Sequence, residues 1–136
     1  MSIMSTKELV ARLKDIATMP QEHLICFTLN SADQIIRRHE VFKGGLSSVD
    51  AHPREIFAAA ITDHASKIVI AHNHPYGEVK PSPGDIETTQ RLFSVGRIIG
   101  IPLIDHIVVS GKKHFSFSEC GYIDDQVGEL LKEYLT

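Results

Sequence analysis

KIVIAHNHPYGEVKPSPGD, residues 67–85, passes from a strand through a bend to a helix start, with two histidines and an aspartate at the joints. Lys67 to Ala71 is short, apolar and β-branched, the pattern of a buried strand. Residues i and i+2 of a strand face one side, so His72 and His74 converge on a point just beyond its end. Pro75 has no N–H to give a ladder and stops the strand there. Pro75, Gly77, Pro81, Pro83 and Gly84 then form a bend with no periodic apolar face. Ser82 suits an N-cap, Pro83 the first helical position, and Asp85 the first turn, where an anion is favoured. The helix is expected to continue to about Ile99 and end at Gly100. Folding back, its first turn presents Asp85 to the two imidazoles.

Two imidazoles and one carboxylate are a three-ligand set for zinc that leaves a fourth position for water, the layout of a hydrolytic metal site. A purely structural explanation covers part of this, because Ser82-x-x-Asp85 is close to a capping box and the chain has eight histidines. Rival metal motifs fail on the same residues. A His-x-His-x-Asp-His pattern needs Asp at Tyr76 and His at Gly77. A zinc deaminase needs His-x-Glu and a Pro-Cys-x-x-Cys pair, whereas Cys26 and Cys120 stand far apart. There is no His-Glu-x-x-His helix.

Around this unit the pattern is that of an α/β sandwich. Thr6 to Thr18 carries Leu9, Val10, Leu13 and Ile16 at helical spacing and stops before Pro20. Glu22 to Leu29 and Gln34 to Phe42 read as strands joined by a hairpin across Asn30–Asp33. Pro53 opens a helix through Ile56, Phe57, Ala60 and Ile61. Ile101 to Ser110 and His114 to Phe117 read as strands about a turn at 111–113. A last helix over 124–135 carries Val127, Leu130, Leu131 and Tyr134 as an apolar stripe. His52 and His64 flank a helix and read as surface groups.

His-x-His-Pro followed by Ser-x-x-Asp resembles the JAMM or MPN+ metalloenzymes, and within them the RadC-like proteins of bacteria. The resemblance extends to Phe42–Ser48, His52–Phe57, Gly100-Ile101 and Asp105-His106, covering residues 20–122. It implies a single-domain α-β-α sandwich with a curved mixed sheet, the JAB/MPN (cytidine-deaminase-like) fold. It also implies one Zn2+ held by His72, His74 and Asp85, with Ser82 positioning the bound water or the oxyanion. Longer members carry an upstream helix-hairpin-helix module, for which the twenty residues before the match are too few. The family further requires a glutamate as general base from an earlier strand. Glu22 shares a face with Leu24 and Cys26; Glu40 shares one with Ile36, Arg38 and Phe42. The resemblance favours Glu22, leaving Glu40 as runner-up. Asp105 and His106 acquire no mechanism from the sequence, which leaves them two roles: orienting a ligand from behind or satisfying a strand end.

The implied activity is zinc-dependent hydrolysis of a peptide or isopeptide bond, with a peptide or protein as substrate. The alternative is a non-catalytic MPN-fold binding module in a larger assembly, one related to DNA repair among the options. A nuclease is weaker, because the imidazoles and carboxylates suffice for one metal only. A chain of 136 residues with 43% hydrophobic and 23% charged residues makes one ordinary globular domain. Net charge −3 and pI near 6.2 do not describe a duplex-binding protein, although Arg37, Arg38 and Lys43 form a local basic patch. No run has transmembrane length, the N-terminus lacks a signal-peptide layout, and two separated cysteines give no disulfide framework. A cytoplasmic location is the expectation. Oligomeric state is not legible.

Overall fold

A computed structural model describes residues 5–44 and 52–123. Five strands form one mixed sheet in the order β2-β1-β3-β4-β5: β1 Glu22–Leu29, β2 Ile35–Gly44, β3 Lys67–Asn73, β4 Leu103–Ser110 and β5 Lys113–Ser116. Only β3 and β4 run parallel; the other neighbours are antiparallel. Parallel strands need a crossover, and α4 (Pro83–Ile99) supplies it. The expected helix-stop is present: Gly100 adopts φ 91° and its N–H bonds the Gly96 carbonyl.

Central strands β1 and β3 are buried on both faces, which explains their unbroken apolar runs. On one face Leu24, Cys26, Ile68 and Ile70 pack against α3 (Pro53–Thr62) and α4 through Ile56, Phe57, Ala60, Leu92 and Phe93. On the other, Ile25, Phe27, Val69, Ala71 and Ile107 meet Leu9 of α1 (Thr6–Ala11), Ile16 of α2 (Lys14–Ala17) and Leu13 between them. The result is the α-β-α layering expected from the resemblance.

Three departures from the expected pattern have local causes. The single N-terminal helix is broken at Arg12-Leu13, where the Arg12 carbonyl accepts the Arg38 guanidinium at 2.7 Å. In β2 the register jumps from Leu24–Phe42 to Ile25–Glu40, so Val41 is an extra residue. That bulge puts Phe42 on the α3–α4 face and Glu40 on the α1–α2 face, correcting the expectation that they share one. In β4 a like jump at Ile104 brings Leu103 and His106 to the α4 side together. The expected helix over 124–135 lies outside the described residues.

Candidate metal centre

The site forms where β3 ends and α4 begins, outside the carboxyl edge of the parallel pair, the usual place for a ligand in an α/β sheet. His72 is still within β3; His74 follows it, with its N–H bonded to the Val109 carbonyl at 2.9 Å. The two rings meet edge to face with Nε2 atoms 2.9 Å apart. Asp85 closes the triangle, Oδ1 standing 3.4 Å from His72 Nε2 and Oδ2 3.3 Å from His74 Nε2. All three residues are buried.

Asp85 is placed by its helix. The Ser82 hydroxyl accepts the Asp85 N–H at 3.1 Å, and Asp85 Oδ2 accepts the Ser82 N–H at 2.8 Å. This is a complete capping box, so the structural explanation and the metal explanation describe the same two residues at once.

Hydrogen-bond direction fixes what the imidazoles offer. The Asp85 carbonyl only accepts, so the Thr89 hydroxyl donates to it, at 2.7 Å. Thr89 Oγ1 therefore accepts from His106 Nδ1–H, at 2.6 Å. His106 is fully buried, and burial above all pushes its pKa well below the ordinary value, which favours the neutral ring. Its Nε2 is then an acceptor, and His72 Nδ1–H donates to it at 2.8 Å. His74 Nδ1–H donates to the Glu78 carbonyl at 2.9 Å. With both rings neutral, the two Nε2 lone pairs point at one another and at a carboxylate, a set that a proton on His74 or a bound metal ion satisfies.

Ligand atoms about 2.0–2.1 Å from a tetrahedral zinc stand roughly 3.3 Å apart, the separation Asp85 keeps from each imidazole, while the two imidazole nitrogens, at 2.9 Å, stand closer. Burial works against ionised Asp85, but hydrogen bonds from His72 and His74 outweigh it and hold the carboxyl far below its usual range. Burial also lowers the proton affinity of His74, and the Asp85 carboxylate more than reverses this. The donor set fits Zn2+.

Glu22 joins the same cluster: one atom each from Glu22, His72 and His74 lie within 4.8 Å of one another. Its Oε2 accepts the Tyr76 hydroxyl at 3.2 Å. Two carboxylates thus approach the imidazoles. Asp85 is the buried one in contact with both rings, whereas Glu22 is half-buried and tied to an exposed tyrosine. That division suits a ligand and a proton carrier respectively. Glu40 is not at this site. It bonds His23 Nδ1 and lines a cavity with Asp15, Ile16 and Met19 on the opposite side of the sheet, so the runner-up base is withdrawn.

Residues 3–122 match the family of the RadC-like JAB domain. The chain belongs to that family. A UPF0758 protein of Bacillus pumilus is 44% identical over 111 residues, covering 82% of this chain and 50% of that protein. The UPF0758 protein YsxA of Bacillus subtilis is also 44% identical over 111 residues, 82% of this chain and 48% of its own. A Staphylococcus aureus UPF0758 protein gives 44% over 117 residues, 86% and 52%. The chain spans about half the length of the curated relatives it matches.

Within this RadC-like domain, Thr89 and Tyr76 join the site although nothing in the sequence pointed to them, and His106 orients His72 from behind, one of the two roles the sequence left open to the Asp105-His106 pair. His106 carried a signal, as half of the Asp105-His106 pair. Its partner is structural: Asp105 accepts from the Ser116 hydroxyl and the N–H groups of His106 and Ser118, and burial raises its pKa. Of the two histidines flanking α3, His64 is exposed and His52 half-buried. Arg37 and Arg38 of the basic patch pair with Asp63 and Asp15.

Proposed function

We propose that this RadC-like domain is a zinc-dependent hydrolase of peptide or isopeptide bonds, a metallopeptidase of the JAMM type. The observation that carries the reading is the pair of Nε2 atoms converging on Asp85, with a second carboxylate, Glu22, beside them. Zinc held by His72, His74 and Asp85 supplies a bound water of pKa roughly 7 and an electrophile for the scissile carbonyl.

The chain's own residues do the rest. Glu22 takes a proton from the attacking water and returns it to the leaving amine. The Tyr76 hydroxyl holds the Glu22 carboxylate over the site from the solvent side. The cap uses Ser82 Oγ as an acceptor, which leaves its O–H to donate to the developing oxyanion. His106 and Thr89 fix the His72 ring by its outer nitrogen. The products are a free amine and a carboxylate.

A peptide or protein is the proposed substrate. No helix among the described residues is long and apolar enough to cross a membrane. The cysteines Cys26 and Cys120 are unpaired, in keeping with a reducing cytoplasm.

Purified protein should contain one zinc per chain by elemental analysis, and Asp85→Ala should contain almost none. Glu22→Gln should keep its zinc and lose hydrolysis by about a hundredfold or more. Undiminished turnover in the Glu22→Gln protein removes Glu22 as the base; zinc retained by Asp85→Ala removes the ligand set.

A further inference from the structure

Between His72 and His74, Asn73 faces the other side of β3 and is fully buried. Its main chain is paired with Val109 of β4. On the β1 side the ladder has its last main-chain pair at Leu24 and His72, so His23 and Glu22 lie past its end. The Asn73 side chain stands where the ladder stops. Oδ1 accepts the His23 N–H at 2.6 Å, while Nδ2 donates to the carbonyls of Gln21 at 2.9 Å and Met19 at 3.4 Å. Two of these bonds bracket Glu22 on either side in the chain.

We propose that Asn73 is a positioning residue that sets where the Glu22 carboxylate stands relative to the metal ion. Three consecutive residues then do both jobs: His72 and His74 grip the ion, and Asn73 between them locates the proton carrier. The chemistry requires an amide. An N–H and two carbonyls converge on Asn73, and only a group with both an acceptor and donors satisfies them. Aspartate would keep the bond from His23 and turn a carboxylate oxygen on two carbonyls. Alanine would leave three main-chain groups without this partner.

The proposal rests on the metal reading above, and its test separates the two. The protein is loaded with Co2+, whose visible absorption follows ionisation of the bound water, and titrated with pH. Glu22→Gln should move the inflection. Asn73→Ala should move it the same way by about half as much or more, with cobalt affinity within about threefold of wild type. In the Glu22→Gln background, Asn73→Ala should add nothing. Asn73→Asp, which keeps the bond from His23, serves as the second variant if the alanine protein does not fold. An unmoved inflection in the Asn73 variants, or an equal shift with and without Glu22, overturns the positioning role. An unmoved inflection in Glu22→Gln overturns the base assignment and this inference with it. Failure to bind cobalt overturns the metal site itself.

Discussion

His74 shows how the site handles protons before any ion arrives. Its imidazole is buried, yet the Asp85 carboxylate at 3.3 Å raises its pKa above the ordinary histidine value. A cation must displace that proton, because it binds the neutral ring. The folded-state pKa is raised, so the competing proton is present below it and gone above it. Zinc affinity should therefore fall as pH drops through this raised pKa, from a higher pH than an unperturbed histidine would give. Binding near neutrality should release protons, visible as calorimetric heats that change with the ionisation heat of the buffer; buffer-independent heats would contradict it. Tyr76 offers a second test. Tyr76→Phe keeps the ring and deletes the donor to Glu22, so hydrolysis should drop roughly 3- to 10-fold, about 0.7–1.4 kcal/mol, with zinc content unchanged. The convergence of His72, His74 and Asp85, the proposed ligands, was legible because strand period and helix capping act over a few residues. Tyr76, Asn73 and His106 were not, since their partners lie 54, 50 and 34 positions away.

At the scale of elements, α4 is held tightly against the start of β4. A Cβ on Gly96 would lie 2.6 Å from the Ile101 carbonyl oxygen and 3.3 Å from the Leu103 nitrogen, both main-chain atoms that yield little. Gly96→Ala should gain helix propensity and still cost about 1–3 kcal/mol in urea unfolding, since overpacking against backbone wins. A stabilised variant would show that α4 can slide. Strands β1, β3 and β4 and helices α3 and α4 were readable from β-branched runs, Pro at helix starts and Gly100 at a helix end. Bulges were not. Strict alternation from Leu103 puts His106 on the face away from α4, and alternation along β2 puts Glu40 beside Phe42. One extra residue, Ile104 or Val41, reverses each, and nothing in either residue's chemistry announces it. Glu40 accordingly turns to His23 and the α1–α2 side, across β1 from the histidine pair.

Across the molecule, an ion that binds the folded chain stabilises it by mass action. At free zinc about a thousand times its dissociation constant the gain is roughly 4 kcal/mol, and the melting temperature should rise on the order of 10 °C. A chelator should reverse the shift, and Asp85→Ala should melt at one temperature with or without zinc. A wild-type melting curve indifferent to zinc would speak against an ion bridging β3 and α4. All the proposed ligands come from the single crossover β3–α4, residues 72–85, whereas the proposed proton carrier comes from β1, in a separate hairpin. Grip and chemistry are thus inherited on different pieces of chain. A drift at position 22 can silence a copy of this domain while the cation stays on as a staple, and a protein so altered would look intact by every measure of metal content and heat resistance.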